Sequence, residues 1–216
     1  MLGSLLCFAI QLKAQRAPFA GGLAGISTLS ADGRSLTAGN SSAVSLYKPE
    51  NGAALNFFAG VHLTDFLSLQ GNYVWNRNQL TLSSARISPA EEFFYEQSRS
   101  SNQHGFIGDL LLYFRGRSSW ARPYLSVGSG LVRLSSKEKS ILAVSGMPPL
   151  PPTEFTVSAP ALRVAVGIDF AFHANWAFRY SFSETIRSNP ISEQLAPPGQ
   201  RNLANFQNLF GFVRRF

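Results

Sequence analysis

Two carboxylates and three guanidiniums draw the first attention, because Asp109, Asp169, Arg115, Arg163 and Arg179 lie in stretches otherwise built from apolar and small residues. Charges held in such surroundings are expected to pair. Their chemistry is therefore an ionic network, chiefly structural, with a gate or proton path as the sharper alternative. Catalytic chemistry has poorer material. His62, His104 and His173 lie far apart in the chain, and no His-x-Ser pair lies near its end. Gly128-Ser129-Gly130 lacks the strand-to-helix turn of a nucleophile elbow. Gly21-Gly22-Leu23-Ala24-Gly25 has neither the spacing nor the following helix of a phosphate loop. With scattered histidines and the single Cys7, no metal cluster is visible. The expectation is a non-enzyme with no catalytic residues, no metal site and no cofactor.

The elements that must carry these charges are strands. The chain has 216 residues, 45% of them hydrophobic and 14% charged, against about 25% charged in ordinary soluble domains. Its longest continuous apolar stretch, Leu2 to Leu12, contains Gln11 and falls well short of the ~20 residues a membrane-crossing helix needs. That stretch, followed by Lys13, Ala14 and Gln15, reads as a clipped export leader over residues 1–15, leaving 16–216 as the mature domain. Removal of the leader would leave no cysteine, which suits passage through an oxidising compartment.

From Pro18 onward, segments of about ten residues alternate apolar with polar or small residues, the period of strands with two unlike faces. Leu162, Val164, Val166, Ile168, Phe170 and Phe172 oppose Arg163, Ala165, Gly167, Asp169 and Ala171. Trp176, Phe178, Tyr180 and Phe182 oppose Ala177, Arg179, Ser181 and Ser183. Leu67, Leu69, Tyr73 and Trp75 oppose Ser68, Gln70, Asn72 and Asn76. Related segments cover 55–63, 106–115, 124–134, 18–29 and 205–216, with the facing of 18–29 and 124–134 ambiguous, which makes eight in all. Short connections at 62–66, 115–122 and 173–175 alternate with long polar ones near 30–51, 79–103, 135–158 and 187–202.

Short turns at one end and long loops at the other describe an all-β, eight-stranded antiparallel up-and-down transmembrane barrel of the outer membrane, with periplasmic turns and extracellular loops. Nine of the 12 prolines fall in the long loops, and Pro18, Pro123 and Pro160 fall at expected strand starts, where a missing N–H is tolerated. Trp120 and Trp176 adjoin short turns and Trp75 lies near the opposite rim, as membrane-interface aromatics should. A soluble lipocalin-like barrel, apolar inside and polar outside, is the rival at the level of fold.

The stretches Arg122-Pro-Tyr-Leu-Ser-Val-Gly-Ser-Gly-Leu131 and Val166-Gly-Ile-Asp-Phe-Ala-Phe-His-Ala-Asn-Trp-Ala-Phe-Arg-Tyr180, together with Phe216, resemble the small outer-membrane barrels of the outer-membrane-protein-A and X kind. The resemblance implies that the last strand is the signal read by the barrel assembly machinery, its alternate aromatics here being Phe206, Phe210, Phe212 and Phe216. Asn208 and Arg214 depart from that pattern.

An eight-stranded barrel is just wide enough for side chains to fill it. The expected role is accordingly structural or surface-interacting, with a narrow small-solute or ion pore as the alternative and a lipid-modifying enzyme as a remoter one. The loops are the contact surface. Lys137-Glu138-Lys139 with the Pro-rich 147–152, and the acidic aromatic run 91–96, are their most distinctive sequences, and neither identifies a ligand. The net charge of +7 is dispersed without the continuous basic stripe of a nucleic-acid binder. It is assigned to lumen pairing and to phosphates of outer-membrane lipids and lipopolysaccharide, on a protein expected to act as a monomer.

Overall fold

The computed structural model describes residues 17–30, 35–36, 43–49, 51–86, 92–143, 152–188, 190 and 202–216. These include β1 (Ala17–Ser30), β2 (Ser35–Leu36), β3 (Ala43–Pro49), β4 (Asn51–His62), β5 (Leu67–Arg86), β6 (Glu92–Tyr113), β7 (Ala121–Ala143), β8 (Glu154–His173), β9 (Trp176–Ser188) and β10 (Asn202–Arg215). Eight of them close a ring in the order β1-β4-β5-β6-β7-β8-β9-β10, and β10 returns to β1. Every pairing is antiparallel. Closure satisfies the edge donors and acceptors that an open sheet would leave bare. β3 extends the line of β4 along the far part of β5, and β2 pairs with β3.

The register converts the alternation into layers. On the outer face, Leu67, Leu112, Leu125 and Val166 form one cross-strand row, and Leu69, Leu110, Val127 and Val164 form the next. Exposure settles the facing: Leu162 and Phe106 are 64% and 69% exposed, while their neighbours Arg163 and Ile107 are 2% and 3% exposed. β1 sends Phe19, Leu23 and Leu29 inward and Ile26 outward. β7 sends Tyr124, Val132 and Leu134 inward and Leu125, Val127 and Leu131 outward. Both strands left ambiguous by sequence thus follow the common rule.

The connections at 63–66, 114–120 and 174–175 are short. In the first, Thr64 Oγ1 accepts hydrogen bonds from the backbone N–H groups of Phe66 (3.2 Å) and Leu67 (2.9 Å), a side chain serving as part of the turn. A salt bridge from Arg117 to Asp65 (2.8 Å) ties that turn to its neighbour.

The opposite end differs from expectation. Much of 79–103 and 135–158 is strand: β5 to β8 run for 20, 22, 23 and 20 residues, against 14, 12, 13 and 14 for β1, β4, β9 and β10. Half of the barrel wall therefore stands much taller. β3 also occupies part of the expected 30–51 loop. Strand continues past the apolar segments because its polarity inverts there while its geometry does not. Along β5 the apolar residues switch from outward Leu69, Tyr73 and Trp75 to inward Leu80 and Leu82.

Pro160 consequently lies inside β8 and not at its start. It pairs with Leu131 of β7, whereas the β9 ladder begins only at Ala161. On that side β8 is an edge at Pro160, where a lost donor is tolerated. The leader expected at 1–15 and the Pro-rich segment up to residue 151 lie outside the described residues.

Candidate functional site

The inward face of the membrane-height wall carries charged and polar side chains among apolar ones such as Phe19, Phe58 and Leu209, and its charges meet across the lumen. Arg179 on β9 grips Asp169 on β8 with two parallel bonds, Nε to Oδ1 at 2.6 Å and Nη2 to Oδ2 at 2.8 Å, the bidentate geometry that makes arginine–carboxylate pairs strong. Its Nη1 donates to Gln70 Oε1 (2.8 Å), and Nη2 also donates to the Tyr113 hydroxyl (2.8 Å). The guanidinium lies 4.8 Å from the Phe58 ring centroid and 4.9 Å from that of Tyr124.

From Gln70 the chain of bonds continues through its Nε2 to Asn72 Oδ1 (2.7 Å), and from Asn72 Nδ2 to Asp109 Oδ2 (3.1 Å). Asp109 is held in turn by Arg163 Nη1 at 2.7 Å. Arg163 Nη2 reaches Ser183 Oγ (3.3 Å), which donates to Gln207 Oε1 (3.0 Å), and Gln207 Nε2 donates to Asn76 Oδ1 (2.6 Å). With Asn56 Nδ2 also donating to Asn72 Oδ1 (3.2 Å), one connected network links six strands through the barrel axis. Both ion pairs have side chains only 2% exposed. Each of these two carboxylates is thus paired with an arginine, as burial demands.

Room for this network comes from missing side chains. Gly128 faces Asp109 across the β6–β7 ladder, and a Cβ there would collide with the Asp109 carboxylate. At Gly167 a Cβ would strike the Tyr124 ring. Gly128-Ser129-Gly130 is strand packing, with Gly128 making space for a carboxylate.

The sequence reading placed Arg115 with Asp109, Arg163, Asp169 and Arg179. The structure brings the last four together and leaves Arg115 exposed in the turn after β6. Parity would have aimed it inward, but the strand ends at Tyr113. The arginine buried at that level is Arg122, whose guanidinium lies 3.8 Å from the Tyr113 ring centroid and donates to the carbonyls of Asp65 (2.9 Å) and Arg115 (3.4 Å). Beside it, His62 stacks on Phe19 with centroids 4.7 Å apart and hydrogen-bonds Ser68 Oγ (2.6 Å). Sequence reasoning also missed Arg99 and Arg187. Inward parity along β6 and β9 was the available signal for both.

Above the network lies a cavity of about 10 Å³ bordered by Val74, Gln103, Thr185 and Asn205, about the volume one water needs. Higher still, Leu29, Leu80, Leu82, Tyr95, Leu134 and Leu203 pack together with Phe155 against them. Fully buried Arg99 caps this cluster. It donates to Ser136 Oγ (2.9 Å), Gln97 Oε1 (2.7 Å) and the Pro152 carbonyl (2.7 Å), with its guanidinium 5.0 Å from the Phe155 centroid. Burial pulls the Arg99 pKa below the ordinary arginine value, and neighbouring Glu138 pushes the other way.

On the outer face, Trp120 and Trp176 sit beside the short turns, and Trp75 lies at the far edge of the apolar rows. Phe206, Phe210, Phe212 and Phe216 all project outward, Phe210 and Phe212 packing on Tyr180 and Phe178 at centroid distances of 5.0 and 6.0 Å. Arg214, the misfit in that series, lies over the rings of Trp176 (5.7 Å) and Phe216 (5.1 Å). The Phe216 N–H donates to the Pro18 carbonyl (3.0 Å) across the closing seam. Among the described residues no group of three His, Cys, Asp or Glu could hold a metal.

A closed antiparallel ring that is apolar outside and charged inside is a barrel that crosses a membrane with strands, since closure pairs the last strand with the first and removes the open sheet edge. The whole chain, residues 1–216, matches the outer membrane protein beta-barrel domain family, and the protein belongs to that family. It resides in the outer membrane, with its short turns periplasmic and its tall wall extracellular.

Its structure is similar to that of Neisserial surface protein A, at 13% identity and a TM-score of 0.55, covering 92% of this chain and 97% of that one. It is also similar to OprG from Pseudomonas aeruginosa, at 11% identity and a TM-score of 0.51, covering 95% and 99%. A further match, with a TM-score of 0.46, 11% identity and coverage of 92% and 98%, is Ail, the attachment invasion locus protein of Yersinia pestis. These likenesses are of fold. A search of curated protein sequences found no match.

Proposed function

We propose that this protein is a non-conducting, non-enzymatic outer-membrane barrel with a structural or surface-contact role, its extracellular wall being the contact surface. The observation that carries this reading is the filling of the lumen at two levels, by the Asp109–Arg163 and Asp169–Arg179 network below and by the leucine and aromatic cluster above. Among the described residues, a cavity of about 10 Å³ lies between them. A solute path would have to break buried ion pairs and then open an apolar plug. The outward aromatics of β10 suit recognition by the assembly machinery, and the role requires no second copy of the chain.

Single-channel recording on the refolded full-length protein in planar bilayers tests the reading. The expected result is a baseline without stable openings. A large, long-lived conductance would overturn it and restore the narrow pore. Release of fatty acid from phospholipid or lipid A by the same sample would establish an enzyme instead.

A further inference from the structure

The outer face carries a composite groove where its apolar rows end. Reading the ladders upward, the row Tyr73, Phe106, Leu131 and Pro160 is still apolar. The next row is Trp75, His104, Arg133 and Ser158, and the one after it is Arg77, Asn102, Ser135 and Thr156. The edge of the hydrocarbon layer therefore falls between Phe106 and His104. A groove of about 690 Å³ straddles this edge, with Phe106 and Leu131 below and His104 and Arg133 above. The Tyr73 hydroxyl and His104 Nδ1 are hydrogen-bonded at 2.8 Å, which fixes the imidazole at its rim.

A second groove, of about 610 Å³, shares Tyr73 and Phe106 with the first and continues toward the periplasmic side past Phe57, Gly71 and Gly108. The two glycines face each other across the β5–β6 ladder. A Cβ at Gly108 would meet nothing within 4 Å, so the depression exists because side chains are absent there. Arg133 and Arg77 are exposed and form no ion pair among the described residues. A cationic head site thus adjoins a shallow apolar depression at the depth of lipid chains.

We infer that this composite groove binds one phosphorylated glycolipid of the outer leaflet, with a headgroup phosphate on Arg133 and Arg77 beside His104 and an acyl chain along Phe106 into the Gly71–Gly108 slot. Charge complementarity selects an anionic headgroup. The continuity of the two grooves selects a lipid over a free anion. Arginine is suited to the task because its planar fork grips phosphate oxygens. This inference is independent of whether the lumen conducts.

Native mass spectrometry of the full-length protein in detergent micelles, titrated with diphosphoryl lipid A and with the same lipid dephosphorylated, tests it. The wild type should bind the diphosphoryl form about tenfold more tightly, the worth of one charge-assisted hydrogen bond. Arg133→Gln should remove most of that preference, and R77Q/R133Q should remove all of it. Gly108→Leu should weaken both lipids alike by filling the slot. Heat-modifiable gel migration verifies that each variant is folded. Equal binding of the two lipids by the wild type, or an undiminished preference in R77Q/R133Q, would overturn the phosphate site. Unchanged binding in Gly108→Leu would overturn the acyl slot. Displacement of the lipid by millimolar inorganic phosphate alone would reassign the groove to a free anion.

Discussion

The barrel has two storeys with opposite polarity. In the lower one the outside is apolar, as in the row Leu69, Leu110, Val127 and Val164, and the inside holds Gln70, Asp109 and Arg163. In the upper one the outside carries Gln79, Ser100, Lys137 and Glu154, and the inside holds Leu80, Leu82, Leu134 and Phe155. β5 to β8 run through both. What reverses is the solvent outside, lipid below and water above, while the buried ion pairs are confined to the lower interior and the leucine cluster to the upper. The lower storey combines a bonded ionic network with an apolar cluster that includes Phe19, Phe58 and Leu209, whereas the upper resembles the core of a soluble barrel. Their response to mutation should differ accordingly.

Arg179→Ala should have the largest effect, about 3–5 kcal/mol, because it leaves the Asp169 carboxylate buried without its partner. Urea unfolding in lipid vesicles, followed by tryptophan fluorescence, measures it. Leu134→Ala in the upper storey should cost about 2–5 kcal/mol by the ordinary arithmetic of a core cavity, read in the same titration. The comparison sharpens in the double variant Asp169→Leu/Arg179→Met, which should unfold within about 2 kcal/mol of wild type because neither charge is then stranded. A double variant as unstable as Arg179→Ala would show that the lower storey depends on packing as the upper does. Arg117→Gln, in an exposed turn pair, should change stability by less than about 1 kcal/mol.

How much of this was legible in the sequence follows from the same inversion. β8 and β9 were readable because Leu162 to Phe172 and Trp176 to Phe182 keep one polarity through the hydrocarbon depth. The upper half of β5 was not, because Leu80 and Leu82 stand on the opposite parity from Leu67, Leu69, Tyr73 and Trp75. Two phases joined end to end read as the finish of a strand. The four charges of the network were legible from parity within strong alternation. Arg115 was misplaced because parity was carried past the end of β6, and Arg122 was hidden because it was read as the end of the short connection 115–122. The bridging roles of Gln70 and Asn72 could not be read at all. Gln70 meets Arg179 across 109 positions of chain, a proximity that only ring closure creates.

The seam between β1 and β10 has a consequence for assembly. Its ladder, from Phe19 opposite Arg215 to Ser30 opposite Ala204, is the one barrel pairing between residues nearly a chain length apart. All other barrel ladders join strands that follow closely in sequence. Local hairpins form with little loss of loop entropy, and the distant pairing is kinetically the slowest. The ring should therefore zip shut at this seam last, after the other hairpins have formed. Because Phe216 reaches the Pro18 carbonyl, a short linker could join these ends and let the chain be reopened at an extracellular loop. Such a circular permutant would turn the slow seam into an ordinary hairpin while leaving the finished ring unchanged.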